Sequence, residues 1–205
     1  MGEIGLRELK KQRMYQVVSD IAVGLFLEKG FDAVSVAEVA AAAEISKPTL
    51  FRYFPAKEDL VLYRFADHET EAARVVAGRA EGKSATGALL EHFLDGLRRA
   101  DPVTGLNDHP NVLAFHRLLY GTPSLAARLY AYVERSEAAL AEALGGGLDA
   151  RLAAGQITVV QRVLALENWR RIAEGEPLAE VRRDAVAAAR RAFAGLEAGF
   201  GVASA

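Results

Sequence analysis

The chain has 205 residues, 51% of them hydrophobic and 25% charged, enough to bury a substantial core and too apolar for a disordered polypeptide. Its 25 basic and 27 acidic side chains leave a formal net charge of −2, so gross charge argues neither for nucleic acid nor for a membrane surface. The absence of cysteine excludes a disulfide scaffold, a Cys-ligated zinc or iron–sulfur centre and a thiol nucleophile.

The longest apolar runs, such as Ile21 to Leu27, fall far short of the roughly 18 residues that a bilayer span needs. Met1-Gly2-Glu3-Ile4-Gly5 lacks the basic-then-apolar order of a secretory leader, so the expectation is a cytoplasmic protein with no membrane contact. Ala, Leu, Glu and Arg dominate, and no stretch alternates for long with a two-residue period. An all-α fold is predicted.

In the first helix, Met14, Val17, Val18, Ile21, Ala22, Leu25 and Phe26 recur at the spacing that lines one helical face. Lys29 falls in its last turn, Gly30 suits the left-handed residue beyond it, and Phe31 suits the apolar contact that folds back. Arg7, Lys10, Lys11 and Arg13 precede or open this helix. They suit a phosphate or minor-groove contact, and equally a partly disordered, solvated segment.

Ser35-Val36-Ala37-Glu38 has the spacing of a capping box, in which the hydroxyl accepts from an early N–H and the carboxylate reaches back. A short second helix then runs to about Ala42. Ser46 caps a third, with Pro48 tolerated in its first turn, and this helix ends near Phe54. Pro55 stops it, and Glu58 and Asp59 suit the positive end of a fourth helix that starts near Lys57.

The helices then lengthen, which places a boundary near Pro55 between residues 1–56 and 57–205. Breaks at Gly82 to Thr86, Asp101 to Pro110, Gly121 to Ser124, Gly145 to Gly147 and Gly175 to Pro177 outline about five further helices, roughly nine in all. The polar, breaker-rich residues 101–111 read as a joint between two of them, and Gly201 to Ala205 as a low-complexity tail.

Between Ser35 and Phe54 the order helix, tight turn, helix, with apolar Val36, Val39, Ala40, Ile45, Leu50 and Phe54 closing a small core, is that of a helix-turn-helix. Leu50 and Phe54 lie four apart and must point inward. Lys47, Pro48, Thr49, Phe51, Arg52 and Tyr53 are left for the outer surface, where exposed rings beside cations call for a partner. B-DNA fits: cations reach phosphates or guanine edges, while a Thr methyl or a ring meets the thymine methyl. The helix ends capped by Ser35 and Ser46, with Lys57 at the next helix start, suit backbone phosphates. Residues 1–57 hold eight basic and seven acidic side chains, net +1, so affinity must rest on placement.

The strings Phe26-Leu27-Glu28-Lys29-Gly30-Phe31-Asp32-Ala33-Val34-Ser35-Val36 and Ala43-Glu44-Ile45-Ser46-Lys47-Pro48-Thr49-Leu50-Phe51-Arg52-Tyr53-Phe54-Pro55-Ala56-Lys57-Glu58-Asp59-Leu60 resemble the N-terminal domain of the TetR family of transcriptional regulators. The resemblance covers roughly residues 10 to 62. It implies that the third helix enters the major groove, with Lys47, Pro48, Thr49, Phe51 and Tyr53 facing bases or nearby sugar–phosphate. Ser35, Arg52 and Lys57 are then expected to hold backbone. Glu44 departs from the pattern, since the family usually carries glycine at this turn position. A left-handed conformation there costs a side-chain-bearing residue on the order of 1 kcal/mol.

A single three-helix reader covers few base pairs, so specificity calls for a two-fold dimer on a palindromic double-stranded operator. The stripes from Val159 to Ile172 and from Val181 to Phe200 supply apolar and small residues for it. The family builds its dimer interface from the last two helices of each subunit, which points to Val163, Leu166, Ala185, Ala188, Ala192 and Leu196. These stripes also suit closing the core of one protomer. The resemblance further implies a small-molecule effector enclosed by residues 62–172, with His92, Phe93, Phe115, His116, Tyr120, Tyr130, Asn168 and Trp169 as candidate contacts. His92 and His116 fit satisfied core histidines as well as ligand contacts.

An enzyme is not expected. None of His68, His92, His109 and His116 lies in a Glu-x-x-His pair, and no His-Glu-x-x-His, Gly-x-Ser-x-Gly or phosphate-binding Gly-x-x-x-x-Gly-Lys run occurs. No metal or cofactor is expected either. The reading is a ligand-released dimeric repressor, with a helix-turn-helix domain at 1–56 and a ligand-binding and dimerising helical domain at 57–205. The alternatives are an architectural DNA-binding protein without effector and an all-α carrier or enzyme.

Overall fold

The computed structural model describes residues 5–200. The start through Ile4 and the tail from Gly201 lie outside the described residues. All regular structure among the described residues is helical: α1 (Leu6–Lys29), α2 (Val36–Ala42), α3 (Lys47–Tyr53), α4 (Asp59–Leu62), α5 (Glu71–Ala77), α6 (Ala85–Arg99), α7 (Pro110–Gly121), α8 (Pro123–Ala143), α9 (Gly147–Ala173) and α10 (Leu178–Phe200). The fourth helix of the sequence reading is a single turn, α4, that tightens into a 3₁₀ stretch at Tyr63–His68 before α5. With these counted as one interrupted helix, the number and the breaks agree with the sequence pattern.

Two compact units result, one of residues 1–67 and 114–130, the other of 68–113 and 131–205. In the first, α1 begins at Leu6, so Lys10, Lys11 and Arg13 are exposed on an ordered helix rather than in a disordered lead-in. The side chain of Arg7 lies outside the described residues. Gly30 takes φ +91 with its N–H on the Phe26 carbonyl, and Phe31 folds back until its ring lies 4.9 Å from that of Phe26. Val18, Ala22, Phe26, Val39, Leu50, Phe54 and Leu60 share one core. Ser19, fully buried on α1, donates its hydroxyl to the Leu60 carbonyl at 2.7 Å, which ties α4 to α1. Residues 57–62 therefore pack with the helix-turn-helix.

In the second unit, α9 and α10 run side by side and α6 packs on α10, around Leu89, Leu97, Ala154, Ile157, Val181, Ala189 and Phe193. Ser84 caps α6 through the Gly87 N–H and also donates to Glu197 at 2.9 Å. The joint after α6 is itself packed. Leu106 is fully buried, and Asn168 donates to the Thr104 carbonyl at 2.9 Å. A methyl group on Gly105, at φ +72, would lie 1.9 Å from the Ala165 carbonyl oxygen, so only glycine fits against α9 there.

Candidate nucleic-acid interface

The turn between α2 and α3 is a Schellman closure. The N–H of Ile45 bonds to the Ala40 carbonyl and that of Glu44 to Ala41, at 3.0 and 3.1 Å. This closure requires a left-handed residue, and Glu44 supplies it at φ +54. Its side chain is exposed. The backbone thus keeps the glycine-type turn and bears the strain of a side chain.

Ser46 then caps α3, its Oγ accepting from the Thr49 N–H at 3.2 Å, and the two hydroxyls share a bond of 2.8 Å. With its hydroxyl so engaged, Thr49 has its methyl left for apolar contact. Leu50 and Phe54 are 1% and 2% exposed, which fixes the rotation of the helix. Lys47, Pro48, Phe51 and Arg52 are exposed, whereas Thr49, also expected on the outer face, is half-buried. Phe51 keeps 41% of its surface in water, with the Lys47 ammonium 5.9 Å from its ring centre. Tyr53 is half-buried, between the Arg52 guanidinium at 5.6 Å and an aromatic group formed by Tyr15, Phe54 and Tyr63. The sequence reading missed Tyr15, although its place one residue beyond Met14 on the α1 stripe was a usable signal.

Two expected backbone anchors, Ser35 and Lys57, also make contacts within the protein. Ser35 is exposed and caps α2 through the Glu38 N–H at 3.1 Å, but Glu38 does not complete the capping box. Its carboxylate pairs with Lys29 at 2.6 Å, because a charge-assisted bond outcompetes a neutral N–H. That hydrogen bond holds Glu38 below its ordinary range and Lys29 above its own. Lys57 is half-buried, donates to the Phe31 carbonyl, and sits 4.2 Å from the Phe31 ring centre and 5.3 Å from that of Phe26.

The candidate ligand contacts fall in both units. Phe115 (8% exposed) and His116 (6%) are buried in the first, with Tyr120 beside His116 at 6.0 Å, whereas Tyr130 is 62% exposed. Burial pushes the His116 imidazole down to about 4. In the second unit, Phe93 is buried, Trp169 is half-buried, and Asn168 is committed to Thr104. His92 is half-buried, its Nε2 3.1 Å from Glu71. Of the interface candidates, Ala185 and Leu196 are buried in their own protomer's core. Val163 is 51% exposed, and Leu166, Ala188 and Ala192 are half-buried. The large apolar side chains left in water on α9 are Leu148, Leu152, Val159 and Val163, of which the sequence reading included only the last two in its stripe.

Residues 20–63 match the family model described as bacterial regulatory proteins, tetR family. The chain is 30% identical over 135 residues to the HTH-type transcriptional regulator TcmR of Streptomyces glaucescens, a match covering 65% of this chain and 58% of TcmR's own length. In fold it resembles a TetR-family regulator from Streptomyces coelicolor A3 (22% identity, 95% of this chain and 99% of that one, TM-score 0.60). It also resembles NalD of Pseudomonas aeruginosa (16% identity, 91% and 96%, TM-score 0.58). These relatives are regulators rather than enzymes.

Proposed function

We propose that the chain, whose residues 20–63 match the tetR family of bacterial regulatory proteins, is a member of that family and acts as a dimeric, effector-released repressor. Residues 1–56 are the reading head, seated on α4, and 57–205 bind ligand and partner. Two copies of α3 enter successive major grooves on one face of a palindromic operator. Lys47, Pro48, Thr49, Phe51 and Tyr53 meet base edges or nearby sugar, while Ser35, Ser46, Arg52 and Lys57 hold phosphates.

The observation that carries this reading is Phe51, 41% exposed between exposed Lys47 and Arg52 on a helix anchored by fully packed Leu50. An aromatic ring kept in water beside two cations gains by meeting a duplex edge. For the second copy, the α9 surface through Val159 and Val163, with half-buried Leu166, Ala188 and Ala192, offers apolar area to a twin. Ala185 and Leu196 drop out, since each already has its neighbours. A repressor of this kind works in the bacterial cytoplasm. A small molecule held within residues 62–172 favours a state in which the paired heads no longer fit. A hundredfold release requires about 2.7 kcal/mol of coupling.

The test is operator selection from random DNA followed by binding of the Thr49→Ala, Phe51→Ala double variant. Both side chains lie off the core, so the fold should survive while affinity and sequence preference fall. Unchanged preference would remove α3 from the major groove.

A further inference from the structure

A groove of about 700 Å³ in the second unit is floored by Val75, Ala80, Ala88, Leu94 and Val186, and edged by Arg79, Lys83, Arg98 and Arg190. The volume lies within the range of small-molecule sites. Its ionic groups are unequally matched. Glu91 is taken by Lys83, and Asp95 by Arg98 at 2.5 Å and Arg99 at 2.8 Å. His92, also on the lining, is paired with Glu71. Arg79 and Arg190 have no carboxylate partner among the described residues.

Arg79 is nevertheless held in place. Its Nε donates to the Lys83 carbonyl at 3.1 Å and its Nη1 to the Val76 carbonyl at 2.7 Å. Neutral carbonyls fix the guanidinium without cancelling its charge, and its other N–H groups stay available. A positioned, uncompensated cation loses little conformational freedom on taking an anion. Arg190, exposed on α10, adds a second cation without a carboxylate partner among the described residues.

We infer that this groove binds an amphipathic carboxylate, its head group on Arg79 and Arg190 and its hydrocarbon body along Val75, Ala80, Ala88, Leu94 and Val186. The charge balance selects an anion, and the apolar floor selects one with a tail. A free inorganic anion would use the arginines alone. A neutral alcohol would use the floor alone. The site stands on its own geometry, so binding at it is measured without DNA and does not depend on the repressor reading.

The experiment titrates the full-length protein with decanoate, acetate and decanol by calorimetry and by amide chemical shifts. Decanoate should bind, with shifts at Val75, Leu94 and Val186, and acetate and decanol should each bind at least about tenfold more weakly, as loss of a charge-assisted contact or of the apolar contact requires. Arg190→Gln and Arg79→Gln should each weaken decanoate about tenfold or more. Arg79 also caps α5, so Arg190→Gln, at an exposed position, is the deciding variant, with its melting temperature checked alongside. Absence of decanoate binding, equal binding of decanol, or undiminished binding by Arg190→Gln would each overturn the assignment.

Discussion

The ring of Tyr53, on the last turn of α3, stands edge-on to that of Tyr15 on α1, with centroids 5.0 Å apart and planes 88° apart. Tyr15 also meets Phe54 edge-on and stacks on Tyr63, both at 5.2 Å. The end of α3 is thus keyed to the long first helix. Aromatic pairs contribute about 0.5–1.5 kcal/mol each beyond their burial, so Tyr15→Leu should cost about 2 kcal/mol of stability. Operator affinity should fall with sequence preference intact, because Tyr15 shapes α3 without belonging to it. Urea unfolding and operator titration read the two effects, and an unchanged midpoint would deny the ring its anchoring role.

Glu44 carries a second prediction. Its φ of +54 costs an L-residue about 1–2 kcal/mol, which glycine escapes while losing about 0.4–1 kcal/mol through a freer unfolded chain. Glu44→Gly should therefore stabilise the protein by up to about 1.6 kcal/mol. Glu44→Gln keeps the strained backbone and removes only the charge. Its unfolding midpoint should stay put while operator binding strengthens. A stabilisation shared by both variants would assign the cost to the charge rather than the turn.

The contrast between Glu44 and Glu38 shows what a sequence makes legible. Spacing sufficed for the helix breaks, the Ser35 and Ser46 caps, the Gly30 stop and the inward Leu50 and Phe54, because each follows from backbone geometry within a few residues. The destination of the Glu38 carboxylate depended on Lys29, which the chain brings back only after the turn at Gly30. Tyr15, Ser19 and the carbonyl-held Arg79 acquire their roles from partners distant in sequence or from backbone groups that no motif encodes. Ala185 and Leu196 were misplaced for a related reason. A helical stripe of small and apolar residues has the same appearance whether it faces its own core or a twin.

Lys57 gives a prediction that separates stability from binding. Its ammonium serves the Phe31 carbonyl and two rings, so Lys57→Met, which keeps an apolar stem, should cost about 1–2 kcal/mol from lost cation–π and charge-assisted contacts. If it also reaches a phosphate, affinity should fall for all DNA sequences and the salt slope should shrink by about one. A stability loss with the slope unchanged would confine Lys57 to its internal contacts.

Glu71 bridges two histidines, 2.7 Å from His68 and 3.1 Å from His92, and these bonds hold its carboxyl well below the usual range. The same carboxylate raises His92 against the opposing effect of burial, with Arg99 adding to the opposition and Asp95 assisting the rise. Glu71 contributes stability above its ordinary 4.5, lost as pH falls through its lowered folded value. His92 contributes below its ordinary 6.5, lost as pH rises through its raised folded value. Both contributions are present together between those two ordinary values. Glu71→Gln should lower stability within that window and flatten the profile on its two flanks, below 4.5 and above 6.5, as read by urea midpoints. A profile that keeps its wild-type shape would exclude the bridge as its source.

His116 should add its own loss of stability in acid. It is 6% exposed, and burial lowers its imidazole from 6.5 to about 4. Below 6.5 the unfolded chain takes a proton that the folded chain refuses, so stability falls continuously until about 4. At 1.36 kcal/mol per pH unit, the ceiling on that loss is about 3 kcal/mol. His116→Leu removes the titrating group, and the difference between the two proteins' unfolding free energies should narrow or reverse on acidification. Parallel curves through this range would mean that His116 is protonated as readily in the fold as out of it.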